Sequence, residues 1–304
     1  MTPTARSWPR VTHKGRPVRS AFDGKIGRFS AWLDASESVL IGAGAGLSAD
    51  AGVDYTDEAS FAKKYPGLYG LGYRNKLMMM GVTDLPQELL LGYYLSHAAE
   101  VRFGPVEMGI YKTLLSLVEK KDTFVLTTNV DALFVRHGFP AERTFTPQGD
   151  YAFHQCLTPC SQDIYPLEPV LEEYLPLIDK QTGTLPKGRY PVCPRCRGNI
   201  SLNVRGGRWF VERPWMEGEE RLNRWIGNLA GKRLLVIDIG SGLSTPVWVR
   251  WPCERLAKMT PGAHLVRINP DYPEVPPDLR DRSLSFQAKA SEVLGLLPNP
   301  NQRG

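Results

Sequence analysis

No stretch of this 304-residue chain holds the roughly 18 consecutive apolar residues that a membrane-spanning helix needs, so neither a membrane span nor a membrane partner is expected. The N-terminus also lacks the continuous apolar core of a secretory signal. Cysteine is scarce, with five in all, which argues against a secreted scaffold held by disulfides. Acidic residues are missing before Asp23, where Arg6, Arg10, Lys14, Arg16 and Arg19 stand unopposed. The whole chain carries 37 Lys and Arg against 32 Asp and Glu, so setting those five bases aside leaves a formally neutral body. A broad basic field, and with it a nucleic-acid partner, is therefore not expected, because counterion release needs clustered excess charge. A local basic patch stays open. In composition residues 1–22 resemble a mitochondrial presequence, but Pro3, Pro9 and Pro17 break the amphipathic helix it requires. They are expected to form a basic, disordered tail on an intracellular, cytoplasmic protein, with a mitochondrial address as the alternative.

What is present reads as an ordinary globular body, 42% hydrophobic and 23% charged. Residues 24–37 follow helical spacing, and a short apolar strand, Ser38–Ile41, leads into a glycine-rich turn at Gly42–Gly46 and a helix start at Leu47–Ala51. Helices are predicted from Pro86 to Val101 and from about Pro105 to Lys120. Three more apolar segments, Thr123–Thr127, Arg233–Asp238 and His264–Ile268, each close on a polar or glycine-rich turn. Apolar strands ending in such turns, with helices between them, predict an α/β fold: a doubly wound, Rossmann-like parallel sheet with its ligand at the carboxyl ends of the strands. Its two parts are expected at 23–154, with a helical insertion at about 55–104, and at 213–304. Between them, residues 155–212 are rich in Pro, Gly and Cys and read as a small inserted module.

The turn Gly42-Ala-Gly-Ala-Gly-Leu-Ser48 suits the approach of a backbone to a pyrophosphate at a helix start. A tight strand-to-helix turn without a ligand has the same composition. The dinucleotide fingerprint G-x-G-x-x-G fails because Leu47 holds the place of its third glycine, and no second strand ends in an acid about 20 residues on, which weakens a dehydrogenase reading. Cys156 and Cys160 form one close pair, and Cys193 and Cys196 another in a C-P-R-C knuckle. Four thiolates of this kind close a structural zinc site with no open position; reduced thiols without metal are the alternative.

At this point the chain resembles the sirtuins over roughly residues 24 to 296. Gly42–Ser48 with Ala51 and Gly52 is similar to their NAD-binding loop, Thr128-Asn129-Val130-Asp131 to their T-x-N-x-D segment, and Gly240, Ser241 and Asn269 to their adenosine-side contacts. The cysteine pairs stand where sirtuins insert a zinc ribbon. The resemblance implies NAD as co-substrate, met by Gly42, Ala43, Gly44, Ser48, Asp54, Tyr55, Thr128, Asn129, Asp131, Gln148, Gly240, Ser241 and Asn269. It puts Asn129, Asp131 and Gln148 at the reacting centre and structural zinc on Cys156, Cys160, Cys193 and Cys196. Sirtuin deacylases carry a histidine base where this chain has Gln148. A glutamine amide orients a hydroxyl or water but accepts no proton, and losing a general base costs about 10²–10⁴-fold. Gln148, with Val53-Asp54-Tyr55-Thr56-Asp57, Phe61 and Tyr65-Pro66, resembles the class M, macrodomain-linked branch. Members of that branch transfer ADP-ribose from NAD to a protein, and their known acceptor is a lipoylated carrier related to the glycine-cleavage H protein. A protein-lysine deacylase that tolerates glutamine, an NAD glycohydrolase and a non-catalytic NAD-sensing module remain the alternatives.

Several residues have plainer readings. Ser48 caps the following helix or meets a phosphate, Asn129 is also a turn former, and Asp131 also suits a helix N-terminus. Asp54 and Tyr55 fall in a loop that gates nicotinamide or simply packs. His97, His137 and His154 read as structural or surface histidines, His154 lying about 20 Å along an extended chain from Gln148. Cys253 reads as core.

Overall fold

A computed structural model describes residues 18–82, 84–105 and 109–298. Most of the expected tail lies outside them, but the first helix, Val18–Ala35, begins ahead of residue 23 and seats Phe22 edge-on against Phe286, ring centroids 5.4 Å apart. Six parallel strands build the main sheet: β1 Ser38–Ala43, β2 Asp122–Thr127, β3 Thr144–Phe145, and β7 Leu234–Ile239, β8 His264–Ile268 and β9 Ser283–Phe286. Their spatial order is β3-β2-β1-β7-β8-β9. Counted along the chain this is 3-2-1-4-5-6, the doubly wound order with a crevice where the order reverses, between β1 and β7. The Rossmann-like fold class read from the sequence is the one observed.

The sheet is buried on both faces, which is why its central strands read as continuous apolar runs rather than alternating ones. Val39, Ile41, Val125, Ile237 and Val266 face one core with Phe29, Leu33 and Leu114. Leu40, Phe124, Leu126, Val236 and Leu265 face the other with Trp225 and Leu256. β1 runs on to Ala43, so Gly42 and Ala43, expected in the turn, are strand residues. Gly42 faces the helix Arg250–Met259, and a Cβ there would stand 2.3 Å from the Cys253 sulfur. Cys253 is fully buried, as expected of a core residue.

A second, antiparallel sheet of three strands holds β4 Gly149–Cys156 between β5 Tyr165–Pro166 and β6 Ile200–Val204. β4 thus takes the last residues of the segment assigned to the first half of the main sheet. The helical insertion keeps a core of its own around Phe61, Tyr65, Leu68, Met79 and Tyr93. Its longest helix, Gln87–Ala98, passes directly into a π-helical turn, Ala99–Phe103. No helix among the described residues is long and apolar enough to cross a membrane.

At the reversal point the turns after β1 and β7 meet backbone to backbone. A Cβ on Gly44 would lie 2.6 Å from the Gly240 carbonyl oxygen, and one on Gly46 would lie 2.7 Å from the Gly240 Cα. Neither contact is with a side chain that can swing aside. Gly44→Ala is therefore expected to cost about 1–3 kcal/mol, read as a lower thermal midpoint by circular dichroism. An unchanged midpoint would mean that the two turns do not depend on this contact.

Candidate functional site

The segment after β2 is fastened to the turn after β1. Thr127 Oγ1 donates to the Ala43 carbonyl at 2.9 Å and accepts the Asn129 N–H at 3.0 Å. The Thr128 N–H also reaches Ala43 O, and the Asn129 side-chain amide donates to Gly44 O at 3.1 Å. Asp131, 2% exposed, accepts from the Ser48 hydroxyl at 2.5 Å and from the Leu133 N–H at 2.9 Å. Burial pushes its carboxyl up, the Ser48 and Leu133 bonds pull it back, and Asp150 adds to the rise. Between these donors Ala132 adopts a left-handed backbone, φ 55°, uncommon for a residue with a Cβ. Ser48 neither caps a helix nor stands free: its hydroxyl is committed to Asp131, with Tyr111 Oη 3.4 Å away.

The glycine loop offers fewer amides than its composition suggests. Gly44 N–H donates to Ile239 O, Gly46 N–H to Gly240 O and Leu47 N–H to Gly44 O. Across the crevice Gly240 has φ 64°, and the buried Ser241 hydroxyl has no hydrogen-bond partner of good geometry. That hydroxyl interacts with the Asp238 carboxylate and is free to turn to a polar ligand at the crevice. The Ser241 carbonyl accepts from Asn269 Nδ2 at 2.9 Å, while Asn269 Oδ1 takes the Asp271 and Tyr272 N–H groups. Beneath lies a charge network absent from the sequence reading. Asp238 and Arg267, paired in register on β7 and β8 and both 0% exposed, bond at 2.8 and 2.9 Å. Arg267 also meets Glu254, and Arg250 donates to the Tyr272 and Glu274 carbonyls. A charged residue at matching positions of two apolar strand runs was the one available signal.

Gln148 sits in the turn entering β4, its side chain half-buried and hydrogen-bonded to none of the described residues. Asn129 and Asp131 are brought together by their bonds; Gln148 is not bonded to either. Its backbone is held by Arg205, whose N–H donates to Gln148 O at 3.0 Å and whose Nε donates to Pro147 O at 3.1 Å. The guanidinium lies over Phe210 and Trp248, 4.4 and 4.6 Å from the ring centroids, and pairs with Glu212. Gly149, at φ 92°, leaves no room for a Cβ against Asn203 O. Asn129 and Asp131 line a cleft of about 290 Å³ with Arg102, Asp150, Phe153 and Trp215, in which Arg102 Nε meets Asp150 at 2.7 Å.

Asp54 lies in an exposed turn, its carboxylate taking the Thr56 N–H and hydroxyl, both at 2.7 Å. Tyr55 turns inward, edge-on to His97 at 5.5 Å, and His97 Nε2 lies 3.2 Å from the Tyr151 hydroxyl. The Tyr151 N–H donates to Val130 O, so this wall backs directly onto the Asn129–Asp131 segment. Burial, and then Lys76, hold the His97 imidazole down to about 3, with Glu100 opposing. An unfolded histidine titrates near 6.5. As pH falls below that value the unfolded chain gains a proton the folded one refuses, so stability drops from about pH 6.5 down to about pH 3. Between pH 6.5 and 5 the loss is about 2 kcal/mol. His97→Phe is expected to flatten this slope in urea midpoints measured across that range, and an unaltered slope would assign the acid sensitivity elsewhere.

The four cysteines of the two pairs converge, all Sγ atoms lying within 4.8 Å of one another. Cys156 and Cys196 are 3.6 Å apart and Cys160 and Cys193 3.7 Å. Zinc–sulfur bonds of about 2.3 Å in a tetrahedron require about 3.8 Å between sulfurs, so the donor set and spacing fit a closed structural zinc. Arg197, at φ 63°, shapes the knuckle, and Cys193 N–H donates to Gly198 O. Against burial, the Cys196 and Arg195 backbone N–H groups bring the Cys193 thiol down to about 7. Plasma emission spectrometry should find about one zinc per chain, and Cys196→Ser should lose the metal and lower the melting temperature. A metal-free chain that melts unchanged by chelator would overturn the assignment.

No family model matches the chain. It is 34% identical over 287 residues to a probable bifunctional ADP-ribose hydrolase/ADP-ribosyltransferase of Fusarium oxysporum f. sp. cubense, an alignment covering 91% of this chain and 48% of that protein. The chain thus spans about half the length of this relative. It is 24% identical over 267 residues to a protein ADP-ribosyltransferase of Staphylococcus aureus, covering 86% of this chain and 83% of that one. Among solved structures, a Sir2 homologue in complex with NAD superposes with a TM-score of 0.58 at 20% identity, covering 88% and 90% of the two chains. A mutant Sir2 homologue bound to ADP-ribose gives a TM-score of 0.59 at 18% identity, covering 88% and 92%. The fold is that of the sirtuins.

Proposed function

We propose that the chain is an NAD-dependent protein ADP-ribosyltransferase of sirtuin type, which releases nicotinamide from NAD and passes ADP-ribose to a protein. The observation that carries this reading is the 34% identity across 91% of the chain to the fungal protein named for ADP-ribose hydrolysis and transfer. The sirtuin fold supports it, as do the buried Ser241 hydroxyl and the Asn129–Asp131 segment at the reversal crevice.

Cleaving the nicotinamide–ribose bond builds positive charge on the ribose, and the chain's own work is to orient it and keep water out. In this reading Asn129, its amide held by Gly44 O, faces the nicotinamide ribose. Asp131 keeps lone pairs beyond those taken by Ser48 and Leu133 and meets the nicotinamide carboxamide. Gly240, Ser241 and Asn269 serve the adenosine side. Gln148 orients a hydroxyl without removing its proton, which favours transfer to an acceptor over deacylation. The finer proposal is that the acceptor is a lipoylated carrier of the glycine-cleavage H type.

Labelled NAD, lipoylated and unlipoylated carrier proteins and an acyl-lysine peptide offered together test the reading. Label is expected on the lipoylated carrier, reduced about 10²-fold or more in Asn129→Ala. Peptide deacylation without labelled protein would overturn it, as would free ADP-ribose formed at a rate the carriers do not alter.

A further inference from the structure

Beneath the crevice one buried carboxylate has no part in the chemistry proposed above. Asp238, near the end of β7, is 0% exposed and meets Arg267 through a single oxygen, Arg267 Nε and Nη2 reaching Oδ2 at 2.9 and 2.8 Å. Its other oxygen, Oδ1, has no partner of good geometry, and neither has the Ser241 hydroxyl, 3% exposed. The carboxylate and the hydroxyl interact with each other. A carboxylate only accepts, so the hydroxyl is the donor and its proton points inward. The Ser241 oxygen then presents lone pairs to the crevice. Turned outward to donate to a ligand, the hydroxyl would leave Asp238 Oδ1 without a side-chain donor, and a buried charged group left unpaired costs more than a neutral one.

The neighbouring cations do not change this. Arg267 is held by Asp238, Glu254 and the Glu274 carbonyl. Arg250, 6% exposed, is held by Glu254 and the Tyr272 and Glu274 carbonyls. Both guanidiniums are therefore committed away from an anion at the crevice. Ser241 Cα lies 2.8 Å from where a Cβ on Gly44 would stand, so Ser241 abuts the turn that suits a pyrophosphate. On the adenosine side of NAD the group joined to the pyrophosphate is a ribose, whose hydroxyls donate.

From a carboxylate oxygen that depends on one hydroxyl, and from arginines already committed, we infer that Asp238 is a positioning residue: it holds the Ser241 oxygen as an acceptor, which takes a hydroxyl of the adenosine ribose of NAD and turns away the 2′-phosphate of NADP. The inference rests on the proposed function, in which Ser241 serves the adenosine side. A phosphate monoester, with a second pKa of about 6, is largely dianionic at neutral pH and brings only acceptors to a site that offers an acceptor.

Calorimetric titration of the full chain with ADP-ribose and with its 2′-phosphate tests this. Wild type is expected to prefer ADP-ribose by about 100-fold. Asp238→Asn lets an amide N–H face Ser241, so its hydroxyl is released to donate outward. ADP-ribose affinity should then fall about tenfold and the preference shrink to about fivefold. A purely structural role would weaken both ligands alike and keep the ratio, which would overturn the inference. So would a wild type that does not discriminate. Because Asp238→Asn strips a buried arginine of a partner, Ser241→Ala serves as a second variant that leaves the ion pair in place. It too should lose about tenfold in ADP-ribose affinity and most of the preference, and an unchanged ratio there would overturn the inference even if Asp238→Asn failed to fold. The hypoxanthine analogue of ADP-ribose should bind wild type as tightly as ADP-ribose; a loss equal to that of Ser241→Ala would put the adenine amine on Ser241 and overturn the assignment to the ribose. A chain that binds no ADP-ribose at all would overturn the proposed function and this inference together, whereas tight binding with an unchanged ratio in both variants overturns the inference alone.

Discussion

The close approach of two backbones governs this molecule: the Gly44–Gly46 turn lies against Gly240 with no space for a single side-chain carbon. That contact brings the ends of β1 and β7 together where the strand order reverses, and it places Gly44 O within reach of the Asn129 amide. It also consumes amides. Gly44 and Gly46 spend their N–H groups on Ile239 and Gly240, so at these positions glycine serves the approach of protein to protein. A ligand at the crevice must find its donors among what remains, including the Ser241 hydroxyl, which otherwise has only the buried Asp238 carboxylate beside it.

Holding the turns in place requires buried charge. Asp131 lies in the interior with a hydroxyl and one backbone N–H as its direct donors, and burial raises its carboxyl accordingly. Asp238 and Arg267 meet the same problem as an ion pair. Desolvation of such a pair costs several kcal/mol per ion, so it is weak evidence of stabilisation by itself. What it supplies is location: Arg267 ties β7 and β8 to Glu254 on the neighbouring helix and to the Glu274 carbonyl. Arg250, beside it, links that helix to the Tyr272 and Glu274 carbonyls. Ser241 and Asn269 stand directly on this frame.

The sequence displayed whatever depends on short-range pattern. The central strands were legible because both faces are buried, and the cysteine cluster because ligand spacing is local. β3, with two residues, and β9, with four, carry too little pattern to be seen, although they complete the strand order. The three-stranded sheet escaped because β4 and β6 pair across more than forty intervening residues. Ser48 was readable as a cap or a phosphate ligand, but its partner Asp131 lies 83 residues on and is known only from the fold. Tyr55, His97 and Tyr151 converge from three separate elements for the same reason.

β4 joins two regions that the sequence presented as separate. It begins at Gly149, beside Gln148, and ends at Cys156, a span of roughly 24 Å for eight extended residues. β6 pairs with both ends of it, at Gly149 and at His154–Cys156 with a register shift between, and beyond its end Arg205 returns to hold the Pro147 and Gln148 carbonyls. The four-cysteine module is therefore braced against the turn carrying Gln148 at one end and fixed by its thiols at the other. Arg205 extends the brace to Trp248, next to the helix Arg250–Met259 of the main sheet. Under the proposed function Gln148 works by orientation, and such a role needs a backbone that does not drift. The brace holds the backbone at a position where this chain carries an amide in place of the histidine of the deacylases it resembles.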